Sequence, residues 1–272
     1  MNKQEITDLI VERLVTNKEH LTKTFPSDNP HIKTKYFVLD DLLPAEFVME
    51  IFKNFPQESQ YFFRDTFRER KYSFAKLNEL ENPITDVVTD ALQSLEVIRE
   101  ISEITQLSSL EGDPSLYAGG LSRMDQTHFL NPHIDNSHDG ERERYRRLNL
   151  LFYVTPDIDE KDGGNFELWD DRVTTLFKIP SKFNRLVVME TTKSSWHSVD
   201  PVISDIQRCC LSNYYFSNES PTSNDYYHVT SFIGRPGQTF QRTYGRVDNF
   251  LRQFIASKLG ISRGHNRLRH RD

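Results

Sequence analysis

The sequence predicts an α+β fold, mainly β, in which a jelly roll of antiparallel strands is supported by N-terminal helices and a C-terminal helix. Amphipathic helical patterns fill most of the chain before Gly119, and short strand-like segments separated by turn signals follow Gly120. Helices first and many strands later are typical of helices packed on an antiparallel barrel or sandwich. A double-sheet jelly roll is the expected form of such a fold.

The N-terminal part of the chain predicts helices around one early strand. Ile6, Ile10 and Leu14 recur at helical spacing, and Pro44 has the fixed backbone angle that suits the first turn of a helix. The predicted elements are a helix over 4–17, a loop over 18–34, a strand over 35–39, a helix from Pro44 to residue 55, a segment without a clean period over 57–80, and one amphipathic helix over 83–107.

The part after Gly120 predicts strands and then a closing helix. Turn signals such as Asp162-Gly163-Gly164 and Ile179-Pro180-Ser181 separate the strands. The predicted elements are strands over 129–135, 147–154, 164–169, 173–179, 185–189, 194–199 and 207–216, a helix over 247–259, and a basic tail from Ser262 that is interpreted as a solvated end.

Composition and charge argue against several classes of protein. A hydrophobic fraction of 36% with 19 Phe is enough for a sizeable core. The net charge of −6 argues against a nucleic-acid partner, and no apolar run approaches the ~18 residues of a membrane span. The polar N-terminus does not resemble a signal peptide. The adjacent Cys209 and Cys210 would point to opposite faces of a strand, so a reducing, cytoplasmic location is expected and a redox pair is the alternative.

His133-x-Asp135 is the feature that decides the chemistry. Residues two apart on an extended segment face the same way, so this imidazole and carboxylate could bind one ion. His197 follows 62 residues after Asp135, and two His with one carboxylate can occupy one face of an octahedral metal, as in non-haem Fe(II) oxygenases. The tripeptide alone has little specificity, because a loop Asp near a surface His is the common alternative. A second copy, His270-x-Asp272, has no later His and is interpreted as chance.

Arg208, eleven residues after His197, predicts an anion site beside the metal. Residues 208, 210, 212 and 214 share one face of a strand, and Arg208 would need a partner if that face is buried. A bound carboxylate, held by the guanidinium fork, is the expected partner, and an Asp or Glu from elsewhere is the alternative. The Tyr153 hydroxyl could donate to the same carboxylate. Asn149 and Ser212 lie on the same predicted faces and complete this candidate set.

Residues 129–219 resemble the Fe(II)/2-oxoglutarate dioxygenases of the prolyl 4-hydroxylase type, including the prolyl hydroxylases of the hypoxia pathway. The segment Phe37 to Pro44 also resembles the opening strand and helix of that family. The segments that carry the resemblance are Pro132-His133-Ile134-Asp135-Asn136, the strand Leu148 to Tyr153, Gly163-Gly164 with Phe166, Leu168 and Trp169, Phe183 to Val187, Trp196 to Val199, and Arg208 to Phe216.

The resemblance implies a distorted double-stranded β-helix of the cupin-like kind, with Fe(II), 2-oxoglutarate and O2 as cofactors and ascorbate as an optional one. His133, Asp135 and His197 would bind the iron, and Arg208 assisted by Tyr153 would hold the distal carboxylate of 2-oxoglutarate. The implied organisation is a helix and loop over 1–34 and a single domain over 35–272. Within that domain, the core spans about 117–220, with a C-terminal extension over 221–272.

The sequence departs from the family pattern at one position before the first His. Many relatives have a Tyr three residues before it, where this chain has Leu130. Arg123 or His128 would then take over the role of that Tyr, and Arg123 is therefore a candidate cofactor-binding residue. Asp135 itself is present, which disfavours halogenation, because related halogenases lack this carboxylate.

The resemblance leaves the substrate open. Decarboxylation of 2-oxoglutarate to succinate would be coupled to hydroxylation of a C–H bond in a small molecule or a peptide, with peptidyl-prolyl hydroxylation as an alternative. A cupin-like metal protein without oxygenase activity is the alternative of another class. The segment 57–80 could cover the site, and the stretch 141–147 is interpreted as a solvated charged turn, with substrate contact as the alternative. The sequence does not indicate the oligomeric state.

Overall fold

The computed structural model describes residues 1–27, 29–222 and 224–259, with the backbone alone for 255–259. Five α-helices, three short 3-10 helices and twelve strands form this part of the chain. The helices are α1 (Lys3–Thr24), α2 (Ala45–Lys53), α3 (Ile84–Leu92), α4 (Leu95–Thr105) and α5 (Thr239–Leu259). The strands are β1 (Tyr36–Asp40), β2 (Phe62–Asp65), β3 (Glu69–Phe74), β4 (Gly120–Met124), β5 (Phe129–Ile134), β6 (Tyr145–Tyr153), β7 (Phe166–Trp169), β8 (Leu176–Ile179), β9 (Arg185–Glu190), β10 (His197–Val199), β11 (Arg208–Ser217) and β12 (Ser231–Phe232).

The N-terminal helix is longer than predicted. Asn2 and Glu5 form a capping box that begins α1, and the helix continues through residues 18–24, where a loop was expected. Leu21 is buried in the main core, and Lys18 pairs with Glu100 of α4 at 3.2 Å. The prediction of a loop from residue 18 was wrong, because tertiary contacts override the polar character of this segment.

The predicted helix over 83–107 is two helices. α3 ends at Leu92, and the Ser94 side chain accepts a hydrogen bond from the backbone N–H of Val97. A serine in this position begins a new helix rather than continuing the old one. The break changes the direction of the chain, so that both helices bury an apolar side against the same core.

The strands curl into one antiparallel sheet with the order β1-β9-β6-β11-β4-β3-β5-β10-β7-β8, while β12 pairs with β5 and β2 pairs with β3. Side chains on one face of β6, β9 and β11 pack with α1 to α4 in the main core. Side chains on the other face pack with β7 and β8 in a second core. This arrangement is the double-stranded β-helix expected from the sequence, with helices covering one side.

The hairpin β2–β3 occupies the segment 57–80, where no strand was predicted. β3 pairs with both β4 and β5, and it therefore joins the two halves of the sheet. The buried Glu69 explains why its pattern was missed, since Arg64 and Lys71 neutralise a side chain that looks exposed in the sequence. Strand β4 was also missed.

Two further features concern the ends of the described chain. The closing helix α5 begins at Thr239, eight residues earlier than the predicted start at 247.

Residues 1–34 are packed against the rest of the protein, because α1 buries Ile6, Ile10 and Leu14 in the main core. A domain boundary at residue 34 remains a prediction. The basic tail from Ser262 lies outside the described residues. Among the described helices, none has both the length and the apolar character needed to cross a bilayer.

Candidate metal and co-substrate site

Three predicted ligands converge between neighbouring strands. His133 lies in β5, Asp135 follows directly after that strand, and His197 opens β10 opposite His133 in the antiparallel register. The two imidazole rings are 4.1 Å apart, and each Nε2 is 3.7 Å from a different oxygen of the Asp135 carboxylate. All three side chains are buried. The sheet register therefore brings together residues that lie 62 positions apart in the sequence.

Backbone carbonyls orient both imidazoles towards Asp135. The Nδ1 of His133 is 3.1 Å from the carbonyl oxygen of Asn131, and the Nδ1 of His197 is 2.9 Å from that of Ser195. A carbonyl oxygen only accepts, so each Nδ1 must donate, and each Nε2 then carries a free lone pair. Both lone pairs are available to an ion beside the carboxylate.

Burial and neighbouring charges hold His133 and Asp135 in the protonation states that bind metals. Burial, together with the nearby His197, lowers the pKa of His133 to about 3. Burial alone would raise the pKa of Asp135, but His197, Arg146 and His133 outweigh it and hold that pKa at about 2. A neutral imidazole and an ionised carboxylate at neutral pH are the forms that bind a divalent cation.

The donor set fits a facial triad. The potential ligand atoms of His133, Asp135 and His197 all lie within 4.8 Å of one another, and Asp135 Oδ2 is buried without a hydrogen bond. Two imidazoles and one carboxylate suit non-haem Fe(II) and leave coordination positions open. In the described ranges, no other group of three His, Cys, Asp or Glu side chains converges in this way.

Arg208 is a buried cation without a carboxylate partner among the described residues. Its Nε donates to the carbonyl oxygen of Gly164 at 3.0 Å, and its Nη2 donates to Ser181 Oγ at 3.4 Å. Gly164 has φ +70° and a Cβ there would lie 3.2 Å from Arg208 Cγ, so a glycine suits this close approach. A guanidinium in this state is a ready site for an anion.

Tyr153 and Asn149 lie on the same inner face as Arg208. The Arg208 guanidinium lies 4.8 Å from the centre of the Tyr153 ring, and the Tyr153 hydroxyl is buried without a hydrogen bond. Burial raises the pKa of Tyr153, so the hydroxyl keeps its proton and can donate. Asn149 donates to the Tyr214 hydroxyl at 3.3 Å, while its Oδ1 has no hydrogen bond. These orphan groups mark the inner face as a ligand-binding surface.

The other two candidates for co-substrate binding differ in their placement. Ser212 pairs with Leu151 and Gly120 and lies on the inner face, as expected. Arg123 does not, because it pairs with Cys209 on the face that packs against the helices. Two guanidinium nitrogens of Arg123 donate to Asp125, each at 2.7 Å. Assigning Arg123 to the cofactor was wrong: its neighbour Met124 contacts Arg208, so alternation points Arg123 outwards.

His128 also lies away from the inner face. Its Nδ1 accepts from the backbone N–H of Asp125 at 3.1 Å, and its ring packs between Phe63 and Tyr72. His128 therefore does not replace the missing tyrosine of the family pattern.

Arg146 is a functional candidate that the sequence did not single out, although substrate contact was the alternative for its stretch 141–147. It is 1% exposed, its Nη1 is 3.5 Å from Asp135 Oδ1, and its guanidinium lies 4.0 Å from the centre of the Tyr214 ring. Its Nε and Nη2 have no hydrogen bond. The interpretation of 141–147 as a solvated turn was wrong for residues 145–147, which are buried.

A register shift explains why Arg146 points inwards. Strict alternation would place residue 147, not 146, on the face of Asn149. The pairing of β6 with β11 shifts between Tyr215 and Phe216, so that Arg146 lies opposite Phe216. Irregularities of this kind often re-aim side chains next to active sites, and a single sequence gives no signal of them.

The C-terminal segment covers one metal ligand. Phe232 of β12 pairs with His133, and the two rings stack at 5.0 Å and 15°. Asn249 of α5 holds Phe232 in place by accepting from its N–H at 3.0 Å and donating to its carbonyl at 2.8 Å. The Arg68 guanidinium lies 5.9 Å from the Phe232 ring. The part of the chain after residue 220 is thus in contact with the site.

Comparison with known proteins agrees with this geometry. Residues 119–216 match the model of the 2OG-Fe(II) oxygenase superfamily, a range that contains all three converging ligands and Arg208. This stretch is therefore a 2OG-Fe(II) oxygenase domain. The protein is accordingly an oxygenase with Fe(II), 2-oxoglutarate and O2 as its cofactors, and the cupin-like alternative without oxygenase activity is disfavoured.

The first two of the following solved structures support the fold of this oxygenase. A prolyl 4-hydroxylase from Phytophthora capsici has a TM-score of 0.53 at 17% identity, covering 90% of this chain and 77% of that one. The non-heme alpha-ketoglutarate-dependent epimerase SnoN from nogalamycin biosynthesis has a TM-score of 0.54 at 11% identity, covering 78% and 92%. A prolyl hydroxylase from Trichoplax adhaerens, in complex with a hypoxia-inducible factor peptide, has a TM-score of 0.49 at 16% identity, covering 79% and 90%. No curated protein matches the chain significantly.

Proposed function

We propose that this oxygenase hydroxylates an unactivated C–H bond of a small molecule or peptide, with His133, Asp135 and His197 as its iron ligands. The observation that carries the proposal is the convergence of the three buried donors, each imidazole presenting its Nε2 towards the carboxylate. Iron with 2-oxoglutarate supplies the activation of O2 when both are bound. The protein contributes the ligands, their orientation and a largely buried setting.

Arg208 and Tyr153 would hold the distal carboxylate of 2-oxoglutarate. Arg208 is a buried charge whose neighbours are neutral, namely a carbonyl, a hydroxyl and a thioether. A carboxylate there would turn an uncompensated charge into a paired one, and the Tyr153 hydroxyl could add a hydrogen bond. Asn149 and Ser212 lie farther along the same inner face and would border the co-substrate.

The substrate would bind on the side of Arg146. Arg208 begins β11, whereas Arg146 lies opposite Phe216 near the other end of that strand. The two buried guanidinium groups therefore lie towards opposite ends of the inner face, and only that of Arg146 is close to Asp135, at 3.5 Å. The free Nε and Nη2 of Arg146 favour a substrate with an acceptor oxygen, such as a carboxylate or an amide carbonyl. Both a small acid and a peptide carry such a group.

The presence of Asp135 supports hydroxylation over halogenation, since this carboxylate would be an iron ligand and the related halogenases lack it. Peptidyl-prolyl hydroxylation remains the alternative substrate class. A direct assay distinguishes the two substrate classes. It measures whether free metabolites or Pro-containing peptides stimulate the turnover of 2-oxoglutarate.

A reducing, cytoplasmic location fits the cysteines. Cys209 lies in the helix-facing core and Cys210 in the inner core, so the two thiols point to opposite faces of β11. Burial raises the pKa of Cys209 to about 12, which keeps this thiol protonated and unreactive.

The test is succinate formation from 2-oxoglutarate by the full chain, measured with and without Fe(II). We expect iron-dependent succinate formation in the wild type and none in His133→Ala. As a matched control, His128→Ala removes an imidazole outside the triad and should retain turnover. Iron-dependent turnover that survives in His133→Ala would contradict the ligand assignment.

A further inference from the structure

One face of α5 carries exposed apolar side chains at regular spacing. Five of these side chains follow one another along the helix at intervals of four, three, four and three residues, which is the spacing of a coiled-coil seam. The exposed side chains are Phe240 (78%), Tyr244 (47%), Val247 (56%), Leu251 (52%) and Phe254 (55%), with Phe250 (72%) beside them. We call this set the α5 stripe.

The opposite face of α5 is fixed to the body of the protein. Arg242 donates to the carbonyls of Val173 and Gly234, each at 3.1 Å, and Asn249 holds Phe232 as described. Gly245 lets the helix approach closely, because a Cβ there would lie 2.6 Å from the Phe232 carbonyl oxygen. The helix therefore cannot turn its stripe inwards without breaking these contacts.

The α5 stripe is larger than the apolar patches that monomers normally expose. If each of the six large side chains has a total surface of about 200 Å², their exposed fractions correspond to roughly 700 Å² of exposed area. Patches on monomers are about 300–600 Å², and a stable dimer buries about 800 Å² on each partner. The stripe thus supplies most of one side of a dimer interface.

Charge and sequence favour a second copy of the chain as the occupant. No stripe position carries a charge, and Asp248 of the same helix is engaged by Arg68 and Arg252. A seam of this spacing is complementary to another copy of itself, as a two-fold interface requires.

We propose that this protein forms a two-fold dimer in which the α5 stripes of two copies pack against each other. Val247 is at the middle of the stripe and would lie next to the partner's Val247. Because α5 also holds Phe232 against His133, the interface would be connected to the metal site through Asn249. Dimerisation is a property of this surface and does not depend on the proposed reaction.

Sedimentation equilibrium on the full chain tests the proposal. The wild type should be a dimer, and the double variant Val247→Glu, Leu251→Glu should raise the dissociation constant at least about 30-fold, as loss of a hot spot does. Leu95→Glu is the matched control, because Leu95 is 80% exposed on α4 and its replacement should leave the dimer intact. Circular dichroism checks that each variant is folded.

A cross-linking experiment keeps the proposal testable if the double variant does not fold. Val247→Cys should form a covalent dimer under mild oxidation, while the native Cys209 and Cys210 are buried and should not cross-link. A monomeric wild type would overturn the proposal, and so would a dimer that persists in the folded double variant. Binding of a monomeric wild type to phosphatidylcholine vesicles would assign the stripe to a membrane surface instead.

Discussion

Replacing Arg208 by Gln tests the co-substrate site most sharply. The guanidinium is 3% exposed and donates at 3.0 Å to the Gly164 carbonyl, but no carboxylate among the described residues pairs with it. Removing one partner of a buried, hydrogen-bonded charge pair costs about 2–5 kcal/mol. We therefore expect Arg208→Gln to weaken 2-oxoglutarate binding by a factor between about 30 and several thousand, at about 1.4 kcal/mol per tenfold.

Arg208→Gln should weaken 2-oxoglutarate binding without lowering the stability of the protein that lacks 2-oxoglutarate. Without 2-oxoglutarate, Arg208 is a buried charge with only neutral neighbours, so its removal should leave the melting temperature unchanged or raise it. With 2-oxoglutarate, the wild type should gain stability and Arg208→Gln should gain little. Thermal unfolding of the Fe(II)-loaded protein, with and without 2-oxoglutarate, measures both effects.

Arg123→Gln is the matched control for this experiment. It makes the same chemical change one strand away, on the outer face, where Arg123 pairs with Asp125 at 2.7 Å. It should retain the affinity for 2-oxoglutarate. The reasoning is refuted if Arg208→Gln binds 2-oxoglutarate within about threefold of the wild type, a difference far below the loss of a buried charge pair.

Three further predictions concern the substrate side, the hairpin and α5. Arg146→Gln should raise the KM for substrate about 10- to 150-fold, the range for one hydrogen bond to a charged group, without changing the affinity for 2-oxoglutarate. Steady-state kinetics measures the KM for substrate, and a co-substrate titration measures the affinity for 2-oxoglutarate. Equal effects on both quantities would contradict the assignment. Lys71 and Arg64 outweigh burial and lower the pKa of Glu69 from its ordinary 4.5 to about 2, so its stabilisation is present above pH 4.5 and lost as the pH falls towards 2. The melting temperature of Glu69→Gln should therefore vary less over this range than that of the wild type, and parallel curves would count against the shift. A Gly to Ala substitution normally stabilises a helix by about 1 kcal/mol, but Gly245→Ala should lower the melting temperature because its Cβ would overlap the Phe232 carbonyl. Thr243→Ala, at an exposed position of the same helix, is the control. A stabilised Gly245→Ala variant would show that α5 is not packed against Phe232.

The sequence predicted the strands that carry the triad because their signals are local. His133 and Asp135 lie two apart at the end of an alternating segment, and His197 lies between strand-forming residues. Their pairing across β5 and β10 requires only that the two strands be neighbours. Arg208 was also placed correctly on the inner face, because alternation from Arg208 to Tyr214 is regular.

The missed features depend on contacts that the spacing of apolar residues does not reveal. Glu69 is buried only because Arg64 and Lys71 neutralise it, and this hides β3 from a search for apolar alternation. Arg146 faces the site only because the pairing of β6 with β11 is irregular. Arg123 was misassigned because the sequence alone did not reveal β4 and hence the face on which it lies.

The most direct test of the central claim is an anaerobic absorption titration of the full chain with Fe(II) and 2-oxoglutarate. We expect a weak visible charge-transfer band that forms only when both are present, disappears in His197→Ala, and is recovered in Arg208→Gln only at much higher 2-oxoglutarate concentration. A wild type that binds neither Fe(II) nor 2-oxoglutarate, or a band that persists unchanged in His197→Ala, would contradict the claim that His133, Asp135 and His197 hold iron beside Arg208.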